Sequence, residues 1–176
     1  MDGIKEVLKK NITPPEVENY ISYEKGMVMV SPYHGEDEVE ENLRMARMVS
    51  KETGKKVYLL PRLSSDTEEQ LELRSKLIPK GVFDKKSPDF MIGGQIFEGK
   101  SIYRIIGDEI NAIQNKIKKA KLQADNIILE IPDFVARNTF QDAIMKSLSL
   151  SKENRIIIAI WKGRVFNYHN RRKVDK

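Results

Sequence analysis

The chain has 176 residues, 40% hydrophobic and 32% charged, enough for one domain with a real core. Its 31 basic and 26 acidic side chains leave a net charge of +5, compatible with a nucleic-acid partner without demanding one. With no cysteine, disulfide frameworks, thiolate zinc sites and cysteine nucleophiles are excluded, and two histidines far apart in sequence, His34 and His169, argue against a histidine-rich metal centre. No apolar run is long enough to span a membrane. The opening MDGIKEVLKK lacks the apolar core of a signal peptide.

Residues 1–34 read as an N-terminal extension that can pack on the core, 35–168 as the main domain, and 169–176 as a basic tail. In the extension Ile4, Val7 and Leu8 sit at helical spacing, Asn11 to Pro15 breaks the pattern, and Gly26 to Val30 reads as a strand. Glu36 to Thr53 is expected to be an amphipathic helix closed by Gly54, with Val39, Leu43, Ala46 and Val49 as its apolar stripe. Glu36, Asp37, Glu38, Glu40 and Glu41 suit its first turns, where the helix dipole favours negative charge. Glu38 falls at the edge of the stripe and Glu41 largely away from it.

Val57 to Leu60 form a nearly continuous apolar run, as in a strand buried on both faces. The polar stretch Leu63 to Lys86, with a short helix at Glu69 to Leu77, is placed to be either a surface insertion or a flap over a site. Next come two short strands, Asp89 to Ile92 and Gln95 to Lys100, joined by Gly93-Gly94. Two glycines between apolar runs suit a tight hairpin, since both central positions accept positive φ. The pleat places Glu98 and Lys100 on one face, and the partner strand brings Asp89 towards them. Two carboxylates and a lysine converging there suit metal-assisted phosphodiester hydrolysis. Asp89 and Glu98 are candidate ligands for a hard divalent cation, joined by the Gly99 carbonyl. Lys100 is the group to orient the attacking water or offset developing charge.

Ile106, Ile110, Ile113, Ile117 and Ala120 repeat at helical spacing, for a helix over roughly Asp108 to Leu122. Its lysines 116, 118, 119 and 121 lie off that stripe, as a solvated face or a phosphate-tracking surface. Asn126 to Ile131 reads as a strand, Thr139 to Leu148 as a helix, Ile156 to Trp161 as a strand and Arg164 to Tyr168 as a returning arm. Trp161, Phe166 and Tyr168 are more naturally cross-strand packing than base-stacking groups.

Pro88-Asp89, a hairpin, then Glu98-Gly99-Lys100 resembles the PD-(D/E)xK signature of restriction-endonuclease-like nucleases. Lys55 to Pro61 and Lys119 to Leu129 narrow the resemblance to the C-terminal nuclease domains of bacterial contact-dependent growth-inhibition toxins. The likeness spans roughly Glu36 to Phe166. It implies an α/β fold with a mixed central sheet flanked by helices, an αβββαβ core, and catalysis by Asp89, Glu98 and Lys100 with Mg2+ or another divalent cation such as Mn2+ or Zn2+. That family usually adds a glutamate from the first helix. Its position falls here on Asn42, a weaker neutral ligand, and Glu38 one turn earlier is taken as the assisting acid. The resemblance further implies RNA, with tRNA in view, as substrate, a cognate immunity protein as partner, and export within a larger effector to a target-cell cytoplasm. A DNA endonuclease of a mobile element, or a non-catalytic binding module on the same fold, are the alternatives.

Overall fold

The computed structural model describes Leu8, residues 12–153 and residues 155–170. The protein is a mixed α/β sandwich built on one eight-stranded sheet. The strands are β1 (Ile21–Tyr23), β2 (Val28–Val30), β3 (Val57–Leu59), β4 (Phe90–Ile92), β5 (Gln95–Ser101), β6 (Asn126–Glu130), β7 (Ile156–Trp161) and β8 (Arg164–His169). They lie side by side in chain order. Pairs β2–β3, β5–β6 and β6–β7 are parallel, and the other neighbours are antiparallel.

Each parallel pair needs a crossover, and a helix supplies it. Helix α1 (Val39–Thr53) links β2 to β3, α3 (Glu109–Ala120) links β5 to β6, and α4 (Arg137–Ser149) links β6 to β7, while α2 (Glu68–Leu77) lies in the connection from β3 to β4. Period-2 alternation divides the strand residues among three clusters, the smallest holding Tyr58, Met91 and Ile96. Ile128, Ile156, Ile158 and Ile160 join Leu43, Ala46 and Val49 of α1 with Phe90, Ile92 and Phe97. Ile127, Leu129, Ile157 and Ala159 turn to the other face, against Ile113 and Ile117 of α3 and Phe140 and Ile144 of α4.

Several expectations shift. The first helix starts at Val39, with Glu38 as its N-cap and Gly54 at φ 65° closing it. Helix α3 begins at its Asp108 cap as expected, the side chain accepting from the Asn111 N–H at 2.7 Å, but Ile106, counted in its stripe, falls in the preceding loop and is exposed. Residues 21–30, read as part of an extension, contribute two strands to the sheet, and Leu8 is fully buried in the α1 core. The helical spacing of Ile4 and Val7, and the basic tail from Arg171 onward, lie outside the described residues. Trp161 and Phe166 pack with Phe140, and the Trp161 indole N–H donates to the Val135 carbonyl at 3.0 Å, so these rings are half-buried packing against the core.

The hairpin forms as expected. Ile92 pairs with Gln95, and Gly93 and Gly94 take φ of 57° and 77°. A side chain at Gly93 would meet the Leu8 backbone, its Cβ only 2.5 Å from the carbonyl oxygen.

Candidate active site

Where β4 begins and β5 ends, a cleft of about 200 Å³ opens between the first turn of α1 and the middle of α3. Its lining includes Glu38, Glu41 and Asn42 from α1, Asp89 and Gly99 from the hairpin, Lys100, and Lys116 from α3. Strand register explains the hairpin's share. Phe90 pairs with Phe97, so continuing the antiparallel ladder sets Asp89 beside Glu98. Glu98 and Lys100 alternate with Phe97 and Gly99, leaving the sheet on the side away from the Phe97 ring.

Asp89 and Glu98 are both buried. Asp89 is held from two directions: the Gly99 N–H donates to Oδ2 at 2.8 Å and the Asn42 amide to Oδ1 at 3.2 Å. Glu98 accepts the Lys100 ammonium on Oε1 at 2.5 Å, while its Oε2 is buried with no hydrogen-bond partner. Burial raises Asp89 above the ordinary carboxylate range, and the Gly99 N–H and Lys100 only partly offset it. Burial, then the Asp89 charge, push Glu98 up to about 8. Burial alone would pull Lys100 down, but Glu98, Asp89 and Glu38 around it carry it above its ordinary value. Three acids thus share one close ammonium, and the surplus negative charge is concentrated where water is scarce. Either a proton or a cation must sit on that pair, because an unpaired buried carboxylate oxygen is costly.

The unpartnered Glu98 Oε2 is the feature that fits a cation. Asp89 beside it and Gly99, which has only backbone to offer, are the cleft-lining groups that could join it in an all-oxygen donor set, while Glu98 itself stands behind the lining. Among the described residues no group of three or more His, Cys, Asp or Glu side chains is placed to hold a metal. Such a set therefore leaves part of a cation's shell to water or substrate oxygen, a habit of Mg2+ more than of Zn2+. Glycine is required at 99, since a Cβ there would lie 2.6 Å from Phe90 Cε2 and 3.2 Å from Asp89 Oδ2.

Glu38 reaches the cleft and its charge is felt by Asp89, Glu98 and Lys100, but it is also paired with Arg62 at 3.1 Å. Glu41, expected to point away, lines the same cleft. The buried stripe of α1 faces the sheet, whereas the cleft lies at the helix's N-terminal end, where the stripe gives no guidance. Asn42, noted in the sequence only as a departure, is buried against Asp89, and His34 stands behind it. The lysines of α3 do not form one face: Lys116 enters the cleft, while Lys118, Lys121 and Gln114 line a separate groove with Lys146 of α4. No residue of the 63–86 stretch lines the cleft, so the flap reading fails. Arg74 instead ties that stretch down, donating to the Leu63 and Lys86 carbonyls at 2.6 Å each and to Ser87 Oγ at 3.0 Å.

Among the described residues no helix is long and apolar enough to cross a membrane. No curated protein matches the chain. Among solved structures, a chain of a CdiA-CT/CdiI toxin and immunity complex from Burkholderia pseudomallei is similar at 17% identity and a TM-score of 0.46, over 79% of this chain and 92% of that one. Residues 85–163, from the approach to the hairpin through the end of β7, match the family model for the contact-dependent growth inhibition CdiA C-terminal domain.

Proposed function

We propose that the protein is a metal-dependent nuclease, the toxic C-terminal domain of a contact-dependent growth-inhibition effector, hydrolysing phosphodiester bonds in RNA. The observation that carries this reading is the pair Asp89 and Glu98, buried, short of positive charge, with one carboxylate oxygen left without a partner beside a lysine. The family match over residues 85–163 supports the toxin role and, with it, release from a larger protein, a cognate immunity protein as inhibitor, and action inside a target cell.

Asp89, Glu98 and the Gly99 carbonyl would hold Mg2+ or Mn2+. A cation bound there supplies Lewis-acid polarisation of the phosphate and acidifies a water for attack. Lys100, on the same face as Glu98, orients that water as its oxygen adds to phosphorus and offsets charge building on the phosphate oxygens. Lys116 faces the non-bridging oxygens from the opposite wall. The attacking water gives its proton to solvent, the bond to the leaving ester oxygen breaks, and that oxygen takes up a proton from solvent water. Glu38 assists through its field on the other three groups rather than by direct contact with them.

The decisive experiment incubates purified protein with total RNA, a single tRNA and plasmid DNA, each with Mg2+, Mn2+ or EDTA. Cleavage of RNA that needs the cation, and is lost in Lys100→Ala and Glu98→Gln proteins that keep their fold, is the expected result. Cleavage of plasmid alone makes it a DNA endonuclease. No turnover with any cation leaves a binding module, and the catalytic reading is then abandoned.

A further inference from the structure

A buried polar chain runs behind the site: Leu60 carbonyl, His34 imidazole, Asn42 amide, Asp89 carboxylate. Its members come from separate segments. Leu60 follows β3, His34 lies in the β2–α1 turn, Asn42 in the first turn of α1, and Asp89 just before β4. We propose that His34 is a positioning residue, which through its proton on Nδ1 fixes the orientation of the Asn42 amide and so the Asp89 carboxylate at the cleft.

Donor and acceptor chemistry determines the orientation of each group. A carbonyl oxygen only accepts, so the 2.7 Å contact from His34 Nδ1 to the Leu60 carbonyl requires the proton on Nδ1. In the neutral ring Nε2 is then an acceptor, and what it meets at 3.1 Å is Asn42 Nδ2. The second hydrogen of that NH2 group goes to Asp89 Oδ1 at 3.2 Å. The amide nitrogen is thus fully used, and Oδ1 is turned towards Gly99, 3.4 Å from where a Cβ would stand. Rotating the amide by half a turn would set its oxygen against two acceptors, the Nε2 lone pair and the Asp89 carboxylate, with all three groups buried. With the proton on Nε2, the ring would present a donor to the NH2 group and leave the Leu60 carbonyl without its partner. One tautomer of one ring therefore selects one amide orientation, which places an N–H on Asp89 opposite the Gly99 N–H. The carboxylate cannot swing without breaking bonds on both sides.

The functional consequence of this relay rests on the proposed cation role of Asp89, and outer partners of this kind typically change metal affinity by about 10–100-fold. Two measurements test it. Long-range nitrogen–proton NMR of the His34 ring in metal-free protein is expected to show a single Nδ1-protonated tautomer in wild type and in Glu98→Gln; an Nε2-protonated or averaged ring overturns the relay. Mn2+ affinity by calorimetry is expected to fall about 10–100-fold in His34→Ala. His34→Gln, whose amide offers an NH2 donor group and a carbonyl acceptor, is expected to recover most of that loss. Unchanged affinity in His34→Ala overturns the relay. So does a folded His34→Gln protein no better than His34→Ala, because the loss would then be one of packing. If wild type takes up no Mn2+ at all, the proposed cation site fails by itself and the ring tautomer alone decides the relay.

Discussion

In metal-free protein, stability should fall as pH rises from 5 to 9, with Glu98 as the cause. Its carboxyl stands at about 8 in the folded chain against an ordinary 4.5. Between these values the folded state keeps a proton that the unfolded state has released. The contribution is complete below pH 4.5 and is lost as pH passes through about 8. At about 1.4 kcal/mol per pH unit the gap sets a ceiling of about 5 kcal/mol. The lowering by Lys100 is already contained in that value, and the window from pH 5 to about 8 spans about three of the units, so a loss of about 4 kcal/mol is the expected reading. Lys100 does not confuse the window, since it is held above 10.5 and its own linkage is felt only beyond it. Urea unfolding in EDTA at pH 5, 7 and 9 measures this directly. Glu98→Gln cannot titrate there and should make the profile shallower, with buried Asp89, also raised, keeping its own share, which separates this group from the general charge of the chain. Added Mg2+ or Mn2+ should flatten it too, because a cation replaces the proton and its binding releases one. Identical pH profiles for wild type and Glu98→Gln would refute the buried, proton-holding carboxyl pair.

Gly99→Ala should cost about 1–3 kcal/mol in urea denaturation, because its Cβ overlaps the Phe90 ring, and it should weaken Mn2+ binding by displacing Asp89 Oδ2. Asn126→Leu should cost about 1–3 kcal/mol in the same assay, since it strips partners from the Ile96 carbonyl and the Ile156 N–H at the start of two strands. Lys116→Ala, made in the Glu98→Gln background, should weaken RNA binding and lower the salt slope by about 1 in filter binding, without changing the preferred sequence. An unchanged slope would show that the Lys116 ammonium does not reach a phosphate.

The hairpin and the strands around it were legible because their sequences are locally unambiguous. Gly93-Gly94 between apolar runs allows few other structures, and Val57 to Leu60 can only be buried. Strand β1 was not legible: Ile21–Tyr23 is short, half exposed and at a sheet edge, so no alternation marks it. The start of α3 at Asp108 was legible, but Ile106 was wrongly counted in its stripe because it continues the periodicity by chance, while Gly107 at φ 84° breaks the helix before the Asp108 cap. Within the site, Asp89, Glu98 and Lys100 share one ladder register and could be read together. His34 and Asn42 could not, because their role is a contact between segments with no common period. A polar residue behind the apolar run of a helix was the available signal for Asn42. For His34 there was none beyond its being one of two in the chain.

Arg74 gives helix α2 a task that its exposed, weakly amphipathic surface conceals. Its guanidinium gathers main-chain oxygens from both ends of the excursion between β3 and β4, with Ser87 bridging back to Leu63 at 3.1 Å. The run that delivers Asp89 to the cleft is thereby moored two residues upstream of it. Trimming this excursion to a short linker would thus unmoor the carboxylate as well as remove a surface helix. A shortened variant would need a replacement cation at the same spot.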